Sequence, residues 1–425
     1  MLEKVSLFNT KKDLLLFSSL LALLSFITLS FEYYNYNKFI KFDSALVNAT
    51  VIKQYTKTKL TKTGKTRSYQ VLKLKSEDGF SFYTTASKKT QNIQGKKLQL
   101  ELYAGDINFY EYLSGFYGFS KILHVQKLPS LKDKLNNFIS KQHTNPQNAS
   151  IYQALFTASS MDYTMQTLFS NLGISHLIAI SGFHLGVLSS LLYLLIRFPY
   201  KFLQNRYFPY SSYKRDSFIF ISLTLFSYLH FLDYPPSLIR AFCMLVIGFF
   251  LYSRGIKIVS MQTLFVSILF LLALLPRLSF SIGFWLSVSG VFYIFLFMIH
   301  FKHLSKLMQF VLLPVWVYLA MLPFSLSIFG NFSLYHPLSI IWTSLFTLFY
   351  PISMFLHLTN AGSMLDFLLD FLLNLETDSL KISLSETWLI LEMILSILAI
   401  YKKESLYILI LYSISIFIYA IDYII

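Results

Sequence analysis

The chain has 425 residues, of which 55% are hydrophobic, 18% aromatic and only 13% charged, with a mean hydropathy of +0.55. That composition excludes a soluble or disordered protein and marks an integral membrane protein. The formal charge of +15 comes from 36 Lys and Arg against 21 Asp and Glu, and the single cysteine, Cys243, excludes an intramolecular disulfide.

The first apolar run, Leu14 to Phe31, follows Lys4, Lys11 and Lys12. The positive-inside rule therefore holds the N-terminus in the cytoplasm. The following "TLSFEYYNY" has no small-x-small cleavage pattern, so residues 1–35 read as an uncleaved anchor. Residues 36–130 lack a spanning run and read as a periplasmic β domain. "SALVNATVIKQY", "YQVLKLKS", "FSFYTT" and "KKLQLELYAG" are strand-like, and Asp78-Gly79 is the turn of a hairpin. Four or five such strands suit a small OB-like β-barrel.

Between Lys38 and Lys127 there are 16 Lys and Arg against 6 Asp and Glu. Lys57, Lys59, Lys62, Lys65, Arg67, Lys73, Lys75, Lys88, Lys89, Lys96 and Lys97 are the expected phosphate contacts. Tyr55, Tyr69, Phe80, Phe82 and Tyr83 are interleaved with them, as binding of single-stranded nucleic acid requires. The plainer alternative is a basic β domain whose rings fill its own core. "TKTGKT", residues 61–66, ends like a phosphate-binding loop, but Lys59 stands where that motif needs glycine. It reads as a strand-connecting loop, and the absence of a complete nucleotide motif argues that the chain is not its own motor.

Residues 131–172 read as amphipathic helices on the outer surface. Apolar runs follow at about 174–196, 217–233, 237–253, 258–276, 279–299, 307–329 and 336–357. Traced from an outside β domain, they place Arg197 to Arg215, Arg254 to Lys257 and Lys302 to Lys306 in the cytoplasm, while "DYPP", "PRLSF" and "GNFSLY" fall outside. Residues 173–357 thus form one membrane domain. In 358–425, "SMLDFLLDFLLNL" sets Asp366 and Asp370 on one face and suits spanning, re-entering or lying flat. Two last runs, 386–400 and 405–425, bring the expectation to about 9 to 11 transmembrane helices; the side that Lys402-Lys403 face stays open.

Within the 174–196 run, "SHLIAISGFH" carries His176, Ser181, Gly182 and His184. On one continuous helix Ser181 and His184 share a face, with His176 two turns away and rotated by about 80°, so all three suit one cavity wall. Ionisable residues in spans face cavities, pathways or partners. The alternatives are neutral interfacial histidines beside close-packed helices, or a Ser181–His184 nucleophile and base, for which no carboxylate lies nearby in sequence. Arg240 in "PPSLIRAFCM" sits one turn inside its run, placed to snorkel or to face an anion path. Gly283, Ser287 and Gly290 in and beside "IGFWLSVSG" mark a close-packing or pore-lining helix.

Together these segments resemble the ComEC-type competence proteins, inner-membrane DNA channels of natural transformation. "GISHLIAISGFHLGVL" resembles their signature helix through His176, Leu177, Ala179, Ser181, Gly182 and His184. "PSLIRAFCM" resembles the S-x-x-R-A-x-x-M segment through Ser237, Arg240, Ala241 and Met244. "IGFWLSVSG" resembles the G-F-Q-L-S segment, with Trp285 in place of glutamine and Ser281 where aspartate is common. The order of anchor, basic OB-like domain and polytopic domain also agrees, over about residues 10–330.

The resemblance implies a non-enzymatic, cofactor-free channel that passes single-stranded DNA across the bacterial inner membrane. The outer domain would hold DNA, single-stranded or duplex, and His176, Ser181, Gly182, His184, Ser237, Arg240, Gly283 and Ser287 would line or shape the path. Implied partners are a periplasmic DNA receptor, a cytoplasmic helicase or translocase, a separate nuclease, membrane lipid and further copies of the chain. A metallo-β-lactamase-like domain, which many members carry at the C-terminus, is not expected: no H-x-H-x-D-H cluster occurs among the nine histidines, and no metal site is expected. A polytopic exporter or polymerase of envelope polysaccharide, or a membrane-embedded Ser/His hydrolase, is the rival reading.

Overall fold

The computed structural model describes residues 10–60, 66–88, 90, 91, 93–103, 105, 107–125, 131–207, 210, 212–256, 258–375, 380–382 and 384–423, without the side chains of residues 58–60, 66, 67 and 236. They form two compact units, Thr10–Lys134 with Leu269–Ile282, and Leu135–Ile268 with Gly283–Ile425.

In the first unit, helix α1 (Lys11–Phe39) starts at a capping box: Thr10 Oγ1 accepts the Asp13 amide at 3.2 Å and Asp13 Oδ2 accepts the Thr10 amide at 3.0 Å. Its 29 residues make a rod of about 44 Å, longer than a hydrocarbon core of about 30 Å. The helix therefore continues past the expected boundary at residue 35, and its last residue, Phe39, is buried among Phe80, Tyr112 and Phe116 in the core of the β region. The 3₁₀ turn Pro276–Phe280 belongs here too, because Arg277 Nη2 pairs with Glu32 at 2.6 Å and its guanidinium lies 5.0 Å from the centre of the Tyr112 ring.

Strands β1 (Ser44–Leu60), β2 (Thr66–Ser76), β3 (Ser81–Ala86) and β4 (Lys97–Tyr103) are followed by helix α2 (Phe109–Ser114), β5 (Phe116–Tyr117) and β6 (Ser120–Val125). They hydrogen-bond in the order β5-β3-β2-β1-β4-β6, antiparallel except for β3 with β5. Val47, Ala49, Val51, Leu72, Leu74, Phe82, Leu98, Leu100 and Leu102 alternate inward, as a one-sided core demands. Asp78-Gly79 makes the expected turn, with Gly79 at φ +89°.

The expected barrel is not closed. The sheet curls far enough for Ser120 and Thr84 hydroxyls to meet at 2.8 Å, yet the two-residue β5 pairs with β3 and not with β6. A bulge between Val51 and Lys53 shifts the β1 register by one residue.

Helices of the second unit begin with α3 (Leu131–Ser140, whose first turn lies in the other unit), α4 (Pro146–Thr157), α5 (Tyr163–Asn171), α6 (Ser175–Ile178) and α7 (Gly182–Tyr207). Then come α8 (Tyr213–Phe231), α9 (Pro236–Ser253), α10 (Met261–Leu274), α11 (Ile282–His300) and α12 (Lys306–Ile328). Strand β7 (Asn331–Phe332), α13 (Ser339–Leu358), α14 (Asp366–Leu373), β8 (Leu380–Lys381), α15 (Glu386–Tyr401) and α16 (Lys403–Asp422) complete the chain order.

Among the described residues, six helical segments are long and apolar enough to cross a membrane: Lys11–Phe39, Gly182–Tyr207, Ile282–His300, Lys306–Ile328, His336–Leu358 and Lys403–Asp422. Ser237–Ser253 and Met261–Leu274 are shorter apolar helices. The chain is a multi-pass membrane protein.

The C-terminal segment left open by its sequence is ordered by two contacts. β8 pairs antiparallel with β7, returning the chain to the end of α12. At the opposite end, His300 Nε2 donates to the Ala399 carbonyl at 2.9 Å. Helices α11, α12, α15 and α16 thus share a core of Tyr293, Leu296, Trp316, Ala320, Ala399 and Leu409, with the Lys402-Lys403 turn at the end that carries Lys302 and Lys306.

Candidate functional site

The stretch expected as one helix from 174 to 196 is broken. Helix α6 ends at Ile178, Ala179 is extended, and α7 restarts at Gly182. Ser181 caps the restart: its Oγ accepts the Phe183 amide at 3.3 Å, while His184 Nδ1 accepts the Ser181 amide at 3.2 Å. This is a variant of the capping box: the Ser181 hydroxyl takes the second amide of the helix instead of the third, and an imidazole stands where glutamate or glutamine is usual. The break corrects the shared helical wall, because His176 lies on the separate α6 and bonds the Gly173 carbonyl at 3.0 Å and Thr343 Oγ1 at 3.4 Å.

His184 is 1% exposed, and its ring meets Phe346 at 5.2 Å and Tyr350 at 4.8 Å, both edge to face. A backbone N–H only donates, so Nδ1 carries the lone pair and Nε2 the proton. Ser181 Oγ lies 3.2 Å from Nδ1, but that nitrogen is already taken by the amide, and Nε2 has no hydrogen-bond partner among the described residues. A nucleophile–base pair needs a third group to orient the base; here aromatic rings occupy that place, which disfavours the hydrolase reading.

The other two motif segments converge on this break. Ser237 Oγ, in the first turn of α9, donates to the Ile180 carbonyl that the break leaves open, at 2.8 Å. A Cβ on Gly182 would lie 3.1 Å from that of Ala241, so glycine permits the close approach of α7 and α9. One turn along, Arg240 is 6% exposed and its guanidinium stands 5.8 Å from the Phe284 ring of α11. Its Nε and Nη1 have no hydrogen-bond partner, and no carboxylate pairs with it among the described residues. A buried charge left so is costly by several kcal/mol, and the arrangement suits an anion that visits the site. Gly283 and Ser287 lie on α11 away from the buried core, and Trp285 is 46% exposed beside them.

The outer sheet face is the second candidate surface. Register pairs Lys53 with Lys73, Tyr55 with Val71, Lys57 with Tyr69, and Lys73 with Tyr83, so these residues share one face. Thr50 pairs with Lys75 on one side and Lys97 on the other, extending the same face across β4. Lysine ammonium groups cover the rings of Tyr55 at 5.9 Å and Tyr83 at 5.4 Å. Partial burial, then Tyr83 and Tyr69 nearby, push the Tyr55 hydroxyl pKa up.

Phe80 and Phe82 point the other way into the core, correcting their place among the ring faces. Lys88 and Lys96 are exposed in loops, and Lys97 contacts Glu77 at 3.5 Å. Lys62, Lys65 and Lys89, with the side chains of Lys59 and Arg67, lie outside the described residues. Lys53 and Tyr117, whose hydroxyl lies 3.1 Å from Thr85 Oγ1, were missed by sequence reasoning. The bulge hides Lys53 from period-two alternation, and β5 is too short to show any.

A family model described as Competence protein matches residues 157–423, more than half of the chain. The chain belongs to the Competence protein family. The match contains the capped break, Arg240 and the α11 motif, and membership gives this competence protein a part in DNA uptake, with DNA as a partner. No curated protein and no solved structure matches the chain.

Proposed function

We propose that this competence protein passes single-stranded DNA across the bacterial inner membrane during natural transformation. The observation that carries the reading is Arg240, a buried guanidinium with no carboxylate partner among the described residues, held where the three motif segments meet. A fork of N–H donors without a carboxylate matches a passing phosphate, and the adjoining ring adds no competing charge. The lysine–tyrosine sheet face supports contact with the strand before passage, through phosphate attraction and stacking. An OB-like role for residues 36–130 and a path lined by His176, Ser181, Gly182, His184, Ser237, Arg240, Gly283 and Ser287 belong to this proposal. So do nine to eleven crossings, in which α8, α9, α10 and α15 join five of the six long spans while α13 with α14 enters and leaves from one side. The anchor, the surface helices of 131–172, the core at 173–357 and the 358–425 segment divide the work. The sheet unit faces the periplasm, where a DNA receptor supplies the strand, and a cytoplasmic helicase or translocase pulls it. A separate nuclease removes the other strand.

The test is deletion of the gene followed by microscopy of labelled donor DNA, scoring periplasmic capture and cytoplasmic arrival separately. Capture should persist and arrival should stop, restored by the wild-type gene. Arg240→Gln, at normal membrane abundance, should not restore it, and Arg240→Lys should restore only part, because an ammonium lacks the planar fork. Undiminished arrival in the deletion strain would remove the reading and leave the envelope-polysaccharide exporter or polymerase to be tested.

A further inference from the structure

Three stretches of chain that are distant in sequence meet on one side chain in the loop between α10 and α11. Arg277 stands in the 3₁₀ turn Pro276–Phe280, and its Nη2 pairs at 2.6 Å with Glu32 Oε2, directly after the apolar run of α1. Its guanidinium lies 5.0 Å from the centre of the Tyr112 ring of α2, which is buried against Phe39 and Phe80. A Cβ on Gly79 would come within 3.2 Å of Nη1, so the turn between β2 and β3 closes over the same group. Nε and Nη1 have no hydrogen-bond partner among the described residues, so the carboxylate and the ring supply the hold.

Two neighbouring contacts run alongside it. Tyr110 meets Phe280 edge to face at 5.2 Å, and Thr28 Oγ1 donates to the Ala273 carbonyl at 2.7 Å. All these residues belong to one compact unit, so the loop grips the anchor helix, α2 and a sheet hairpin together. The side chains of Arg277 and Glu32 are each 17% exposed. In a pair so withdrawn from water, desolvation offsets much of the attraction, and little net stability is gained. Its geometry is nonetheless narrow, because a planar guanidinium must meet a carboxylate with its edge and a ring with its face.

We propose that Arg277 is a positioning residue for DNA uptake, a clasp that keeps the β2–β3 hairpin in one orientation on the α10–α11 loop while a strand passes. The inference rests on the passage of single-stranded DNA proposed above. The hairpin carries Lys73, Lys75 and Tyr83 of the lysine–tyrosine face, and the loop runs straight into α11, whose Phe284 stands 5.8 Å from Arg240. A strand drawn inward pulls on the sheet that holds it. A clasp at the hairpin turn passes that load to the loop, where without it the sheet would swing on the end of α1. Arg277 is not itself a phosphate contact, because Glu32 already occupies its edge and would repel a second anion.

The test uses the full-length protein with Tyr110→Cys and Phe280→Cys in a Cys243→Ser background, bridged on intact cells by a short bismaleimide, with the unbridged protein as reference. Bridging yield reads the clasp without any DNA. Arg277→Gln should lower it severalfold, and Arg277→Lys, which keeps the charge but lacks the planar fork, should fall between. In the uptake assay, Arg277→Gln at normal membrane abundance should keep periplasmic capture of labelled donor DNA and lose most cytoplasmic arrival. The bridge should restore arrival to Arg277→Gln and leave it intact where Arg277 is present. Capture lost in step with arrival, full arrival in Arg277→Gln, a bridge that fails to rescue it, or a bridge that blocks arrival in the presence of Arg277 would each overturn the proposal. An unchanged bridging yield in Arg277→Gln would overturn the clasp whatever becomes of DNA passage, which the deletion strain decides separately.

Discussion

His184 performs two tasks at once, and they are separable. Its Nδ1 closes the cap on Ser181 while its ring packs on Phe346 and Tyr350. Gln at this position can still accept the Ser181 amide, as the usual capping-box residue does. His184→Gln should therefore lose only the ring packing, whereas His184→Ala loses both, with the cap contributing about 1 kcal/mol. Thermal unfolding of the purified variants checks this: the order wild type, Gln, Ala is expected, and equal losses would show that the ring alone matters. The residue types of this motif were legible in the sequence, and S-x-x-H has the spacing of a capping box. The role was not, because the apolar run around it hides a helix break whose tertiary supports, the Ser237–Ile180 and Gly182–Ala241 contacts, come from a helix more than 50 residues further along the chain.

At the scale of elements, the strands and the Asp78-Gly79 turn were legible from alternation and turn chemistry, whereas the open edge of the sheet was not. Closure depends on how far two residues of β5 can extend a ladder, and two residues have no period. The lysine–tyrosine face yields a sharper test than its net charge. Lys53→Ala with Lys73→Ala removes a cross-strand pair of like charges, so stability should hold or rise slightly. DNA affinity should fall and the slope of log affinity against log salt should shrink by roughly one to two units, since each phosphate contact contributes roughly 0.7 on a single strand. Salt titration of DNA binding by the full-length protein measures it; an unchanged slope would assign the contacts to another surface.

For the molecule as a whole, loop charges gave a consistent orientation as far as residue 357, and beyond it the parity failed. What decides the remainder is a pair of two-residue strands and one histidine–carbonyl bond, none of which has a sequence signature. They make α13 and α14 an excursion that returns to its own side, and they put Lys402-Lys403 on the side of Lys302 and Lys306. A fluorescent protein inserted between Lys402 and Lys403 should therefore mature and glow, as a cytoplasmic reporter does, while an alkaline phosphatase inserted there should stay inactive. The reverse pair of results would place the motif break on the opposite membrane face. Helix and strand types were thus readable from composition and period; their sidedness past residue 357 rests on tertiary contacts.

The bulge at Ile52 has a genetic corollary. Beyond it, β1 shows Lys53, Tyr55 and Lys57 outward and turns Gln54 and Thr56 away. Val51 opposes Leu74 and Lys53 opposes the next residue, Lys73, so deletion of that single codon would join an inward valine to an outward lysine, remove the bulge and keep Lys53, Tyr55 and Lys57 on the outer face. Two chains that differ by one residue would then carry the same charged face, one on a kinked strand and the other on a regular one.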